Sequence, residues 1–292
     1  MKTNKINKNN LRLSEEAPSL FSDDDPATGL LIYYLGEDKE ELFTGELYEI
    51  FQEHIVSEYE VKNGKKEGIQ IDYFRNGSKD SINENSQNMQ FGVYKEFDEH
   101  EKLKVVSVIW FNLNIKSIEF SENTITITEK KIDKKYIIPK RIESLLNLSN
   151  EELINYSFPP MVNGGFTEED KRNVTARAFY FQNKTIYIYE NNTLTKVIST
   201  INSESTFYGW KIEKEIKDGI INKILLESEE ETLREVLWNG GKLSKDDRII
   251  PEEELPTNII QLLNLSPEKL LSFPFEATEL EQNEFLNKNI IL

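Results

Sequence analysis

The sequence predicts a mainly β fold: tandem β-hairpin repeat sheets in two related modules, each ending in short helices. Three observations carry this reading. Short runs rich in β-branched and aromatic residues dominate, among them LLIYYL (30–35), ELYEIF (46–51), IVSEYEV (55–61), IQIDYF (69–74) and VVSVIWF (105–111). Glycines at 45, 68 and 92 recur at intervals of 23 and 24 residues, a period that signals an array of supersecondary units. LLNLS at 145–149 returns at 262–266 with matching flanks.

Residues 1–26 are polar, end in Ser22-Asp23-Asp24-Asp25-Pro26, and predict a flexible arm. The first module then runs from 27 to 160. Each of its three repeat glycines opens a strand: GELYEIF at Gly45, GIQIDYF at Gly68, GVYKEFD at Gly92. The fourth residue after glycine is acidic each time: Glu49, Asp72 and Glu96. Aromatic residues follow at Phe51, Tyr73 with Phe74, and Phe97. Asn63-Gly64 and Asn76-Gly77 are the pairs that tight hairpin turns select, because both turn residues need positive φ. Glycine at the start of each copy lets the backbone bend or a neighbour approach. SIEFSENTITITEKK (117–131) predicts a further hairpin, and RIESLLNLSNEELINY (141–156) the closing helices.

The second module spans 161–292. It has hairpins at 178–190 and 210–227 and helices in NIIQLLNLSPEKLLSF (258–273). Gly209 opens GWKIEKE, with Glu213 at the acidic position. The order of flanks matches the first module: Ile-Ile-Pro before LLNLS, Leu153 or Leu270 after it, and a closing Phe-Pro pair. Ser149 and Ser266 sit as helix N-caps, with Pro267 at the first helical position, so each module ends in two short helical pieces joined at a serine.

Formal net charge is −17, which repels nucleic-acid phosphate and anionic lipid and attracts basic partners; solubility alone is the bland alternative. No cysteine is present, which excludes disulfides, thiolate metal sites and cysteine nucleophiles. The N-terminus lacks an apolar signal core, and no apolar run approaches the ~18 residues of a membrane helix. The expectation is a cytoplasmic protein that binds neither nucleic acid nor membrane.

Glycine, then an aromatic five or six residues on, then Asn-Gly, repeated every ~23 residues, resembles the MORN repeat in its divergent bacterial form. FTGELYEIF and EYEVKNGKKEGIQIDYFRNGSKD, within 43–80, carry the likeness. It covers about 28–100 and is poor over 161–292. Gly92 departs from it, since Glu99-His100-Glu101 replaces the Asn-Gly turn. The resemblance implies stacked hairpins that act as an interaction scaffold, and proteins of this kind are often grouped as antitoxins or immunity proteins.

Signals of catalysis are weak. His54 and His100 are the only histidines and read as surface residues, and no nucleophile elbow or phosphate-binding loop is present. A carboxylate-pair hydrolase stays open on composition, but no motif points to it. We therefore expect no catalytic residue, no metal and no cofactor. Stacked repeats place Glu49, Asp72 and Glu96 in one acidic column, either a partner contact or a device of repeat geometry. With Tyr48, Tyr94 and Trp210 they are the contact candidates. The expected function is binding to a protein, a cognate toxin, with a basic one favoured by the net charge. The alternatives are an acidic adaptor scaffold or a mimic of nucleic-acid charge, and last an enzyme with an unrecognised carboxylate site.

Overall fold

The computed structural model describes residues 11–26, 29–130, 132, 138–159, 184–200, 210–228, 235–239, 242–245, 248–255, 257–275 and 277–289. It is mainly β, built of consecutive hairpin strands with a few short helices. Two compact units divide the chain, one of 1–119 with 136–179 and one of 120–135 with 180–292. The division differs from the expected boundary at 160. The strand after Glu119 belongs to the second unit, while the helices at 140–154 stay with the first, because they pack on its sheet.

In the first unit, β1 (Arg12–Ser14) precedes a small sheet of β2 (Leu20–Asp24), β3 (Leu31–Leu35) and β4 (Glu41–Leu42). The hairpins follow as β5 (Gly45–Phe51), β6 (His54–Lys62), β7 (Lys65–Tyr73), β8 (Lys79–Ser86), β9 (Met89–Phe97), β10 (Leu103–Trp110) and β11 (Leu113–Phe120). Each pairs antiparallel with the next, and β1 pairs parallel with β5 at the edge. The expected arm is therefore structured from Arg12 onward. Leu11, Leu13 and Leu20 pack on a core of Tyr33, Phe43, Leu47, Tyr59 and Val61. These leucines are too sparse among polar residues to show a period. They cover apolar surface that the first hairpin cannot bury by itself.

Four hairpin turns of the first unit share one geometry. Gln52-Glu53, Asn63-Gly64, Gln87-Asn88 and Phe111-Asn112 each put two successive residues at positive φ, the type I′ arrangement that matches strand twist. Asn76-Gly77 differs: only Gly77 has positive φ, inside a longer loop where Asn76 Oδ1 accepts the Ser78 N–H at 2.9 Å. The turns at 87–88 and 111–112 are also laced to the strand before. Asn88 N–H donates to the Lys66 carbonyl (3.0 Å) and Asn88 Oδ1 accepts the Lys66 N–H (2.6 Å). Asn112 and Gln90 repeat the pair of bonds at 3.1 and 2.7 Å.

Two helices close the unit, α1 (Lys140–Leu146) and α2 (Asn150–Ile154), and α1 packs on β9 and β10. Ser149 joins them through a capping box: its Oγ accepts the Glu152 N–H at 3.2 Å, and Glu152 Oε2 accepts the Ser149 N–H at 2.7 Å.

The second unit has β12 (Thr124–Lys130), β13 (Lys184–Glu190), β14 (Thr193–Thr200), β15 (Trp210–Lys217), β16 (Ile220–Ser228), β17 (Glu235–Asn239), β18 (Lys242–Lys245) and β19 (Arg248–Ile249), each paired with its successor. Helices α3 (Thr257–Leu263), α4 (Pro267–Leu271) and α5 (Glu279–Asn289) follow. Its core joins sheet residues Ile212, Ile221 and Ile224 to Ile259, Leu262, Leu270 and Phe275. Ser266 caps α4, its Oγ accepting the Lys269 N–H at 3.4 Å.

The internal repeat reaches further than its sequence match. Lys95 Nζ donates to the carbonyls of Ile154 (2.7 Å) and Tyr156 (2.8 Å) at the end of α2, and lies over the Phe158 ring. In the second unit Lys214 Nζ donates to the Leu271 carbonyl (3.0 Å) at the end of α4, over the Phe275 ring. A lysine at a helix C-terminus satisfies orphan carbonyls and complements the helix dipole.

Candidate functional site

Strand register assembles the acidic column. Glu49 pairs with Ser57, Ser57 with Asp72, Asp72 with Ser81 and Ser81 with Glu96. Cross-strand partners share a face, so these five side chains form one row across β5 to β9. The carboxylates stand two strands apart, roughly 10 Å, with a serine between each pair. Like charges in a row oppose folding, and the serines answer this at Asp72. Ser57 Oγ donates to its Oδ1 and Ser81 Oγ to its Oδ2, both at 2.7 Å, and Gln70 Nε2 adds a third bond at 2.9 Å. Glu96 is held from outside, by Lys104 at 2.9 Å and by the Tyr94 hydroxyl at 3.3 Å. Asp80, beside them, has its carboxyl pushed up by burial and by the charges of Glu96 and Asp72.

The other candidates divide. Tyr94, two residues before Glu96, shares the acidic face, and burial next to Glu96 raises its hydroxyl pKa. Tyr48, adjacent to Glu49, points to the opposite face, where its ring lies 5.2 Å from the Arg12 guanidinium. The backbone of Trp210 pairs with Ser228 at the start of β15 in the second unit. Gly209 lies outside the described residues. His54 and His100 are exposed, at the start of β6 and in the β9–β10 turn. Among the described residues, no group of three or more His, Cys, Asp or Glu side chains is arranged to hold a metal ion.

The repeat glycines have a role the sequence does not announce. Gly68 and Gly92 adopt φ of +95° and +128°, and a Cβ at either would come within 2.9 Å of a glutamate Cδ, of Glu60 and of Glu84 respectively. Each glycine thus clears space on the neighbouring strand for a glutamate eight residues before it. Gly45 makes room instead for the Leu11 carbonyl.

The Glu84 carboxylate is buried. It accepts the Val93 N–H (2.8 Å), the Tyr156 hydroxyl (2.9 Å) and the Arg141 guanidinium. Burial raises its pKa, and these donors oppose the shift. Glu60 has a buried Oε1 with no hydrogen-bond partner among the described residues. Burial first, then the charges of Glu46 and Glu67, push its carboxyl up to about 7. The paired glutamates are the signal a sequence reading passes over: Glu60 and Glu84 recur at the glycine period.

The arrangement can present ordered carboxylate oxygens to lysine and arginine side chains. Neither a protein-family model nor a curated protein matches the chain.

Proposed function

We propose that the chain is a non-enzymatic, protein-binding scaffold of the MORN-repeat type, an immunity or antitoxin protein that neutralises a basic toxin. The observation that carries this reading is the in-register row of Glu49, Asp72 and Glu96 on one face. A net charge of −17 adds long-range attraction for a cationic partner and speeds encounter. Glu49 and Glu96 stand at the two ends of the row, with Tyr94 beside Glu96 as an aromatic anchor. A second reading is an acidic adaptor. The serine bonds to both Asp72 oxygens favour it, because they mark the centre of the row as part of the sheet's own structure.

The test is recovery of partners from the native host on the tagged full chain, at low and at high salt, with identification by mass spectrometry. The expected result is one stoichiometric partner that survives high salt and is toxic when expressed alone. A salt-sensitive mixture of basic proteins overturns toxin neutralisation and leaves the adaptor.

A further inference from the structure

β1 covers only part of the outer edge of β5. Their parallel pairing ends at Ser14 opposite Tyr48, and the last bond along it is Glu15 N–H to the Tyr48 carbonyl at 3.0 Å. Glu46 and Tyr48 turn their backbone groups toward β1, as the bonds from Glu46 N–H to Leu11 (2.9 Å) and from Glu15 to Tyr48 show. Period-two alternation turns the N–H and C=O of Ile50 the same way, beyond the end of the covering strand. Among the described residues no strand pairs with β5 on this side at Ile50, since β1, the neighbour there, is in register only with Glu46–Tyr48.

The side chains at this bare edge are apolar. Ile50, Phe51 and Ile55 are 44, 54 and 38% exposed. They are three of the seven exposed large hydrophobic residues described, gathered at the tip of one hairpin. An open edge with exposed apolar side chains is a template for strand addition.

We propose that the β5 edge at Glu49–Phe51 accepts an extended segment of a basic partner protein as an added strand, with lysine or arginine alternating with apolar residues. The alternation follows from the two faces. On the acidic face an added side chain lies beside Glu49 and Phe51; a lysine there sets its ammonium against the carboxylate and its stem over the ring. On the other face it lies beside Ile50, which pairs with Ile55. A second copy of this chain fits poorly, since two acidic surfaces repel. The inference goes beyond the toxin reading, because it fixes the mode of contact for any basic partner.

The probe is a nine-residue synthetic peptide of alternating lysine and valine, added to the full chain. Amide hydrogen exchange at Ile50 and fluorescence anisotropy of the labelled peptide are the readouts. The expected result is binding that slows Ile50 exchange at least tenfold. Ile50→Pro, which removes the edge N–H, abolishes binding, and Glu49→Lys weakens it at least tenfold without touching the backbone. Three results overturn the proposal: unchanged Ile50 exchange, equal binding of a glutamate–valine peptide, or full binding by a folded Glu49→Lys variant. A salt-resistant partner that leaves Ile50 exchange unchanged keeps the protein-binding reading and removes the edge.

Discussion

Glu60 and Glu84 hold the same place in consecutive repeats, each facing the glycine eight residues on, yet their surroundings differ. Glu84 meets an arginine and a tyrosine from the helical end of its unit, plus a backbone N–H. Glu60 meets two other glutamates and keeps one buried oxygen without a donor among the described residues. The repeat thus supplies the space for a carboxylate, and tertiary context decides whether that carboxylate is anchored or frustrated. A buried anion with its cation becomes a fixture, whereas one without becomes a group that takes up a proton.

The glycines give the sharpest way to break the comparison. Gly92→Ala puts a methyl group against an anchored, buried carboxylate at positive φ, so the Glu84 bonds must yield. We expect a loss of about 3 kcal/mol or more in urea unfolding. Gly68→Ala meets a carboxylate with fewer ties and costs about 1–2 kcal/mol. Equal losses at the two glycines defeat the distinction.

The glutamates come next. Glu84→Gln leaves Arg141 facing a neutral amide, at a cost of about 3 kcal/mol in the same assay. Glu60→Gln removes an unfavourable charge and at pH 8 leaves stability unchanged or higher. A large loss at Glu60 points to a donor supplied from outside the described residues.

pH then separates the wild type from Glu60→Gln. The folded carboxyl titrates near 7, above its ordinary value of 4.5, so the folded state holds the proton more tightly than the unfolded one. This residue's contribution to stability therefore falls as pH rises from about 4.5 to about 7, and levels off above. The difference between wild type and Glu60→Gln across that window carries this slope, read from denaturation midpoints at pH 5, 6, 7 and 8. A flat difference shows that Glu60 is ionised throughout. The smallest effect is Tyr156→Phe, which takes one donor from Glu84 and costs about 1 kcal/mol. No loss assigns the anchoring to Arg141 and Val93.

Hairpin order, the Asn63-Gly64 turn, the glycine period and the two-piece helices were all legible in the sequence, because each rests on local chemistry. The acidic row was legible too, since period-two alternation and a regular repeat place it. What escaped depends on neighbours. β8 reads KDSINENS, with no β-branched residue but Ile82, yet Ser81, Asn83, Glu84, Asn85 and Ser86 are buried. Partners on neighbouring strands receive some of them, as Asp72 does Ser81 and Glu67 does Ser86, while Asn83 Nδ2 and Asn85 Nδ2 are buried with no hydrogen-bond partner among the described residues. Gln87-Asn88 and Phe111-Asn112 lack the glycine of a familiar turn, and asparagine bonds to the preceding repeat offset that lack. Tyr48, a contact candidate next to Glu49, faces the other side of the sheet, because adjacent strand residues point opposite ways.

The asparagine lacing also bears on how the chain finds its structure. Asn88 reaches back to Lys66 and Asn112 to Gln90, the same 22 residues each time. Every such closure is short, and its entropic cost does not grow with the number of hairpins already stacked. Folding can nucleate at one hairpin and spread to the next, so the rate of the search depends on the length of one repeat rather than on the length of the protein.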